Sequence, residues 1–294
     1  MNNEEGRFFV VLENSQNLEE FSMKKLKYWL IALAAILFFG GVSTAAHAAT
    51  TVKVGVTSAK HEEWDAVKEK LAKKGINIQI VTFTDYVQPN NALAEGSLDL
   101  NAFQTNIYLQ SYNKEHHTNL VPIAKTVIAP LGLYSDKITK ISQVKKGATI
   151  AIPNDASNGG RALLLLQSAG LIKVDSSKGQ YPTVKDITKN QKNLKIKELD
   201  ANQTARALKD VDASVINSGM AVDAGINPKK DAIYLEKVNK KAEPYINVIA
   251  AQKKNRNKAV YKKVVKAFQS EDIAKVISKS SKGASIPVWN TKLK

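Results

Sequence analysis

The sequence predicts an α/β fold of two lobes, and three features of the chain lead to this prediction. Residues 51–82 have the pattern strand, helix, strand, which is a βαβ unit with parallel strands and a right-handed crossover. The same alternation continues to residue 280 without repeats or low-complexity segments. The 246 residues from Ala49 onward favour two lobes over one, with a ligand held in the cleft between them.

The first 48 residues are predicted to lie outside this fold. Residues 23–48 have a basic head and an apolar run from Tyr28 to Val42, and they end in Ala46-His47-Ala48, the small-residue pattern of a signal-peptidase site. The apolar run of about fifteen residues is shorter than the roughly 20 that a membrane span needs, and an uncleaved signal stays open as an alternative. We take Met23 as the initiator and residues 1–22 as a non-native extension.

Charge and cysteine content narrow the classes of function. The chain has 43 basic and 27 acidic residues, of which four and five lie in residues 1–48, so that 39 and 22 remain in the exported part. An exported chain with this excess of basic over acidic residues encounters anionic lipids and wall polymers instead of nucleic acid. We therefore predict a basic surface that adheres to an anionic membrane or cell wall, and no nucleic-acid partner. Because the sequence has no cysteine, it has no disulfide, no thiolate metal site and no lipid on a cysteine.

Periodicity places the individual elements in order. Trp64, Val67 and Leu71 have helical spacing, Gly75 marks the end of that helix, and Pro89 suits the first turn of the next one. Strands are predicted at 51–56, 76–83, 98–103, 120–135, 148–153, 194–199, 213–217, 232–236 and 245–251. Helices are predicted at 62–74, 87–94, 108–114, in the leucine-rich segment after 155, briefly after 202, and at 259–269 and 271–280.

Extended stretches near Pro130 and Pro244 are the predicted hinges of the fold. They give a first lobe of residues 49–130 plus 244–294 and a second lobe of residues 131–243. Ligands of such two-lobed exported proteins bind in the cleft, which closes on them.

No catalytic or metal-binding motif is found in the sequence. His61, His116 and His117 lie on polar stretches without the spacing of metal ligands, so we predict that they are solvated. The Gly159-Gly160 pair lacks the Lys-Ser/Thr that follows a phosphate-binding loop. We predict a protein that is not an enzyme and has no cofactor and no metal. An exported hydrolase is the least favoured alternative, because no pair of nucleophile and base can be named.

A binding site is better supported, because polar and aromatic residues fall at the ends of predicted strands, where open α/β sheets bind ligands. These residues are Tyr86, Phe103, Gln104, Arg161, Asn217 and Asn247. Arg161 stands at the predicted start of the helix in "SNGGRALLLL", where the helix dipole disfavours a cation. It either faces solvent or helps the helix terminus bind an anion, with Gly159 and Gly160 letting the backbone approach the ligand. Asn217 alone is equally well explained as a helix cap.

Four segments are similar to those of a known family: "DYVQPNNALAEGSLDLNAFQTNIYL", "IPNDASNGGRALLLLQSAGLIK", "NLKIKELDANQTARALKDVDASVIN" and "EPYINVIAAQ". They resemble the signature segments of the NlpA/MetQ family, the methionine-binding proteins of bacterial ABC importers, and the resemblance extends over residues 51–288. It implies a two-lobed periplasmic-binding-protein-like fold of type II. It also implies capture of a free amino acid, usually L-methionine, at the outer face of the cytoplasmic membrane, the cell surface or the periplasm. The amino acid is delivered to a membrane permease that a cytoplasmic ATPase drives.

The same resemblance assigns roles to individual residues. It implies that Arg161 binds the α-carboxylate of the ligand, so that the ligand is the ion-pair partner of this cation. It implies that Asn217 and Asn247 hold the amino-acid head group. It implies that the side-chain pocket is lined by Tyr86, Phe103 and Tyr108. A guanidinium can give a carboxylate two charge-assisted hydrogen bonds, and a thioether favours aromatic edges, so the physical chemistry agrees.

Two departures from the family pattern bear on the ligand and on anchoring. Where family members usually have "FFQHVPYL", this chain has "AFQTNIYL", so that Thr105 replaces a pocket histidine. The smaller and more polar wall leaves methionine sulfoxide, a methionyl dipeptide or another amino acid open as ligands. Many relatives also carry a lipidated cysteine, and without one, retention depends on the uncleaved signal, the basic surface or the permease. A basic adhesion protein of the cell surface, with the fold kept and the pocket lost, is the alternative from another class.

Overall fold

The computed structural model describes residues 50–291 and Leu293, so the predicted extension 1–22 and signal 23–48 lie outside the described residues. The strands are β1 (Thr50–Val56), β2 (Ile76–Thr82), β3 (Leu100–Asn101), β4 (Leu120–Ile128), β5 (Gly132–Tyr134), β6 (Thr149–Pro153), β7 (Lys173–Val174), β8 (Ile187–Lys189), β9 (Lys195–Leu199), β10 (Ala213–Ile216), β11 (Tyr234–Leu235), β12 (Ile246–Gln252) and β13 (Ile286–Pro287). The helices are α1 (Glu62–Ala72), α2 (Gln88–Glu95), α3 (Asn106–Glu115), α4 (Ala156–Ser168), α5 (Ser218–Asp223), α6 (Ala259–Phe268) and α7 (Glu271–Ser280). Within these residues no helix combines the length and the apolar character that a membrane crossing requires.

One group of strands forms a six-stranded sheet in the order β13-β4-β12-β3-β1-β2. β1 pairs in parallel with β2, and α1 connects them, so the predicted βαβ unit is confirmed. α1 buries Trp64, Val67 and Leu71, and it shares this core with α6 and α7. Gly75, after α1, has a φ of +69°, which glycine adopts without steric cost. The opposite face of the sheet carries a second core, to which α2 and α3 contribute.

A second group of strands forms a five-stranded sheet in the order β11-β5-β10-β6-β9. β6 pairs in parallel with β9 and β10, whereas β5 runs antiparallel to β10 and β11. The leucine-rich helix α4 follows β6 directly, and Leu163, Leu165 and Leu166 pack into one core with Ile150 and Ile152. β7 and β8 form a separate two-stranded sheet.

The chain passes between the two large sheets twice. It leaves the six-stranded sheet after Ile128 and enters the five-stranded sheet at Gly132. It returns over residues 236–245, between β11 and β12. We call these segments the first and the second crossing, and they contain Pro130 and Pro244. The lobe boundaries at 49–130, 131–243 and 244–294 stay a prediction.

The predicted strand 120–135 forms two strands, β4 and β5, in different sheets. Two further predicted elements also differ from the structure. The strand predicted at 98–103 is paired only at Leu100–Asn101, because the chain then turns towards α3 and the Asn101 side chain joins a network of buried amides. The short helix predicted after residue 202 consists of two 3-10 turns, Ala201–Gln203 and Arg206–Lys209. Both changes place polar residues next to the space between the sheets.

Candidate ligand-binding site

A cavity of about 210 Å³ lies between the two sheets and is lined by residues from both sides. This volume is below the roughly 300–1,000 Å³ of pockets for drug-sized ligands, so the cavity suits one small molecule. All seven residues that the sequence predicts as ligand contacts line it: Tyr86, Phe103, Thr105, Tyr108, Arg161, Asn217 and Asn247. The structure therefore brings them together, and their contact with a ligand stays a prediction.

Three aromatic rings form one wall of the cavity. Tyr86 follows β2, Phe103 follows β3, and Tyr108 lies in α3. The ring centroids of Tyr86 and Phe103 are 5.7 Å apart, and those of Tyr86 and Tyr108 are 5.9 Å apart, in the tilted and edge-on arrangements that aromatic pairs prefer. Burial raises the pKa of both tyrosine hydroxyls well above the usual range, so both are neutral. The wall is apolar and uncharged, which suits a soft side chain.

Three buried amide side chains support this wall. Gln104 Oε1 accepts from Asn90 Nδ2 at 2.8 Å, and Gln104 Nε2 donates to Asn90 Oδ1 at 2.7 Å and to Asn101 Oδ1 at 2.9 Å. The sequence places Gln104 among the candidate ligand residues. Its side-chain amide instead makes hydrogen bonds within the protein. It fixes the backbone between Phe103 and Thr105.

A chain of hydrogen bonds that starts at Asp155 orients Asn217. Asp155 caps α4, and its carboxylate accepts from the backbone N–H and the Nδ2 of Asn158 at 2.8 and 2.9 Å. Since a carboxylate only accepts, the amide nitrogen of Asn158 faces it, and Asn158 Oδ1 is left to accept from Asn217 Nδ2 at 2.8 Å. Asn217 Oδ1 is then buried without a hydrogen-bond partner among the described residues. A buried acceptor without a donor is costly, so this position favours a ligand that donates.

Asn217 also stands directly before α5, where the sequence leaves a helix cap open as its role. Its side chain makes no capping hydrogen bond. Asn217 thus occupies the N-cap position of α5, but its side chain is held by Asn158 instead of capping the helix.

Thr105 and Asn247 meet in a single antiparallel bridge between their backbones. The Thr105 hydroxyl caps α3 by accepting from the Tyr108 N–H at 3.2 Å. Asn247 Nδ2 donates to the Val127 carbonyl at 3.4 Å. The Thr105 hydroxyl accepts one hydrogen bond in the cap and keeps its own proton to donate, so this wall retains a polar group.

Arg161 lies in the second turn of α4 and not at its start. Asp155 is the cap, so the residues from Ala156 to Gly160 are already helical. The effect of the helix dipole falls off within the first turn, so the conflict predicted from the sequence does not arise. The side chain is 4% exposed and lines the cavity.

Glu236, an acidic residue that the sequence analysis did not single out, binds Arg161. Its carboxylate accepts from Arg161 Nε at 3.0 Å and from Nη2 at 2.5 Å. Nη2 also donates to the Ala129 carbonyl at 2.9 Å, and the guanidinium carbon lies 4.3 Å from the centre of the Tyr245 ring. Glu236 is therefore one ion-pair partner of Arg161 within the protein, and the interpretation that a ligand carboxylate also binds Arg161 stays a prediction. The only sequence signal for Glu236 is its position directly after β11.

Gly159 and Gly160 serve packing within the protein. A Cβ at Gly159 would lie 2.8 Å from the Pro153 carbonyl oxygen, and one at Gly160 would lie 2.6 Å from the Gln180 carbonyl oxygen. Both residues are helical, and neither has a positive φ. They let α4 approach two neighbouring backbone segments, at Pro153 and Gln180.

The acidic first turn of α1 also lines this cavity. No sequence motif indicated these acidic residues as part of the site. Burial, with a further contribution from Glu62, raises the pKa of the Glu63 carboxyl to about 7. His61 also lines the cavity and is partly buried, with Nδ1 3.1 Å from an Asp65 carboxylate oxygen, so its predicted full solvation is wrong. Across residues 50–291 and 293, no group of three or more His, Cys, Asp or Glu side chains is placed to hold a metal ion.

The two sheets, the two crossings and the cavity between them define the class, which is that of the substrate-binding proteins of transporters. Staphylococcus aureus protein PG110 superimposes with a TM-score of 0.79 at 47% identity, covering 81% of this chain and 94% of that chain. A nutrient-binding protein from Burkholderia cenocepacia, solved bound to methionine, has a TM-score of 0.77 at 43% identity, covering 81% and 99%. The predicted fold class is confirmed.

The chain belongs to the NlpA lipoprotein family, whose model matches residues 52–289. The D-methionine-binding lipoprotein MetQ of Yersinia pestis is 38% identical over 262 residues, which cover 88% of this chain and 96% of that protein. The resemblance drawn from the four sequence segments is confirmed.

Proposed function

We propose that the protein is the exported substrate-binding component of an ABC importer, which captures methionine and delivers it to a membrane permease. One observation carries the proposal: a single cavity joins a guanidinium, a buried amide oxygen without a partner and a wall of aromatic rings. Relatives that are named for methionine, and a similar structure with methionine bound, support the same class of ligand.

The head group of an amino acid fits the polar side of the cavity. Nε and Nη2 of Arg161 are occupied by Glu236 and Ala129, and no hydrogen bond to Nη1 occurs within the residues that the structure describes. The ligand α-carboxylate accepts from Nη1, and its ammonium group donates to Asn217 Oδ1. Asn247 completes the head-group site. An ammonium at Asn217 supplies the donor that this buried oxygen otherwise lacks.

The thioether of methionine fits the aromatic side. Sulfur packs favourably against ring edges, and Tyr86, Phe103 and Tyr108 present rings around the same space. Thr105, whose oxygen caps α3, leaves room where relatives usually have histidine. Methionine sulfoxide, a methionyl dipeptide or another amino acid is therefore the alternative ligand within the same function.

Calorimetry on ligand-stripped protein tests the proposal. We expect binding of L-methionine or D-methionine, and the panel includes methionine sulfoxide, methionyl dipeptides and the other amino acids. Arg161→Ala is expected to weaken binding roughly 100-fold, because it removes a buried charged donor. Arg256→Ala is the matched control, since Arg256 is exposed and donates to the Lys253 carbonyl. If no member of the panel binds, the proposal is overturned.

The partners follow from this function. We infer a permease and its ATPase subunit as the partners in the membrane, and no reaction of the protein's own, because the named relatives are binding proteins. Reconstitution of uptake with the permease in vesicles, with and without this protein, checks the partnership.

An anionic surface is the third partner that we propose. Seven exposed basic residues lie between Pro244 and Ser270, a stretch without any acidic residue: Lys253, Lys254, Arg256, Lys258, Lys262, Lys263 and Lys266. Related proteins are named lipoproteins, and the printed sequence has no cysteine to carry a thioether-linked lipid. We therefore propose that this basic surface, an uncleaved signal or the permease retains the protein. If the protein binds anionic vesicles in a salt-sensitive way and binds no amino acid, the adhesion alternative is favoured.

A further inference from the structure

Glu236 is held in place more firmly than an ordinary surface acid. Besides its two hydrogen bonds from Arg161, its carboxylate accepts from the Leu131 N–H at 3.1 Å. The Glu236 side chain is 16% exposed, and that of Arg161 is 4% exposed. Leu131 and Ala129 belong to the first crossing, and Glu236 opens the second. The ion pair is thus anchored to both segments that connect the sheets.

This ion pair sets the charge of the inner cavity. The charge of Arg161 is cancelled by Glu236, and Asn217 and Asn247 are neutral amides. The other ionisable side chains that line the cavity come from the segment before α1 and from the first turn of α1: Lys60, His61, Glu62 and Glu63. Charges taken out of water are costly unless they are paired. The polar end of the cavity is therefore complementary to a head group whose own charges sum to zero.

The pair also restricts the hydrogen bonds that the guanidinium can offer. The Glu236 carboxylate accepts hydrogen bonds from Nε and Nη2, and the Ala129 carbonyl accepts the second hydrogen bond that Nη2 donates. A carboxylate in the cavity then meets only Nη1. The Tyr245 ring, 4.3 Å from the guanidinium carbon, prevents rotation of the guanidinium plane on that side.

We propose that Glu236 is a positioning and specificity residue for ligand binding. It holds Arg161 so that Nη1 faces the ligand, and it cancels the arginine charge so that the site selects a zwitterion over a molecule with the same side chain and a net charge. This inference rests on the proposed function. It adds a selection by net charge, which neither Arg161 nor Asn217 provides alone.

Three ligands and three variants test the proposal on the full chain. The ligands are L-methionine, with no net charge, N-acetyl-L-methionine, which keeps only the negative charge, and L-methioninol, which keeps only the positive charge. Glu236→Gln removes the carboxylate charge at nearly constant shape, and Glu236→Asp keeps the charge one methylene short of its position. Glu243→Gln is the matched control, because Glu243 also lies in the second crossing but pairs with the exposed Lys125.

The readout is the ratio of the Kd for L-methioninol to the Kd for N-acetyl-L-methionine, measured by competition against L-methionine. In Glu236→Gln we expect this ratio to rise roughly 100-fold, about tenfold from each ligand, and in Glu243→Gln we expect no change. A merely structural role of Glu236 would weaken all three ligands together and leave the ratio unchanged, which overturns the inference. Absence of methionine binding by the unmodified protein instead overturns the proposed function.

Glu236→Asp covers the case in which Glu236→Gln does not fold. We expect Glu236→Asp to keep the ratio within about twofold of the unmodified protein and to bind L-methionine roughly tenfold more weakly, because the guanidinium loses its position. Unchanged methionine affinity in this variant contradicts the positioning role. A ratio that shifts as in Glu236→Gln contradicts the charge role.

Discussion

The carboxylate of Asp155 decides which way two amide side chains point. It can only accept hydrogen bonds, so it fixes the amide nitrogen of Asn158, and Asn158 in turn fixes that of Asn217. The consequence, two hydrogen bonds away, is an oxygen at Asn217 that has no partner among residues 50–291 and 293. A helix-capping residue thereby determines the polarity of the ligand site.

Asp155→Asn tests this relay. Asn caps helices about as well as Asp, so we expect the free energy of unfolding to fall by less than about 1 kcal/mol, the contribution of a charge at a helix N-terminus. An amide at position 155 also donates, so the orientations of Asn158 and Asn217 are no longer fixed. We expect roughly tenfold weaker binding of methionine by calorimetry.

Asp175→Asn is the control for this variant, since Asp175 accepts from the Ser177 N–H at a 3-10 turn away from the cavity. It is expected to leave the affinity unchanged. Equal affinities in Asp155→Asn and the unmodified protein would contradict the relay.

At the scale of elements, α4 brings Asn158 and Arg161 to the cavity, and it packs unusually close to its neighbours. The two glycines of its first turns admit the Pro153 and Gln180 carbonyls, and Arg161 follows directly. The helix therefore positions Arg161 only as long as positions 159 and 160 lack a side chain.

Gly160→Ala is expected to destabilise the protein although alanine is the better helix former by about 1 kcal/mol. The added Cβ would lie 2.6 Å from the Gln180 carbonyl oxygen, and overpacking of this kind costs about 1–3 kcal/mol. Gly219→Ala is the matched control in α5, where a Cβ meets nothing within 4 Å. We expect it to stabilise by about 0.5–1 kcal/mol. Urea unfolding of both variants measures the change in the free energy of unfolding, which we expect to have opposite signs. Changes of the same sign would contradict the packing role.

Glu63, in the first turn of α1, predicts a dependence of stability on pH. The pKa of its carboxyl is about 7 in the folded chain, against 4.5 for a free glutamate side chain, because burial disfavours the carboxylate. Between these values the folded state keeps a proton that the unfolded chain releases, so stability falls as the pH rises through this window and the full penalty applies above about pH 7.

Glu63→Gln is therefore expected to stabilise the protein by roughly 3 kcal/mol at pH 8 and by almost nothing at pH 4. Thermal unfolding at both pH values measures the difference. Glu69→Gln, at an exposed position of the same helix, is expected to change neither value. A gain of equal size at pH 4 would show that the effect is not one of ionisation.

The sequence predicts elements where periodicity is strong and misses them where long-range contacts decide. α1, α6 and α7 follow from apolar residues at helical spacing, and β1 and β2 follow from alternation. β13, of two residues, has no such pattern and exists because β4 offers it an edge. The sequence predicts Arg161 at the start of α4, whereas it lies in the second turn, because the pattern does not reveal Asp155 as the cap.

At the scale of the whole molecule, the candidate site depends on contacts between distant parts of the chain. The family resemblance identified seven site residues from their motifs, without any argument about distances. All seven line one cavity. Glu236 lies 75 residues from Arg161, and the pair forms only because the second crossing returns beside α4. Sequence spacing carries no signal for such a pair, so the charge balance of the site required the structure.

Two hydrogen bonds join the two sides of the cavity outside the crossings. Ser58 Oγ, after β1, donates to an Asp223 carboxylate oxygen at 2.7 Å, at the end of α5. Asn202 Nδ2 donates to the Thr84 carbonyl at 3.0 Å. Both connect the six-stranded side to the five-stranded side, so we expect them to stabilise a closed arrangement of the cavity around a ligand.

Ser58→Ala is expected to speed ligand release. Losing one hydrogen bond between the two sides destabilises the closed arrangement, which we expect to raise the dissociation rate of methionine about threefold to tenfold. The association rate is expected to stay the same, because none of the seven predicted ligand contacts is changed. Stopped-flow measurement of both rates tests this, with Ser168→Ala as the control, since the Ser168 hydroxyl donates to Leu165 within α4. Adding Asn202→Ala to Ser58→Ala is expected to raise the dissociation rate further. If the double variant releases ligand no faster than the unmodified protein, these two hydrogen bonds do not hold the cavity closed.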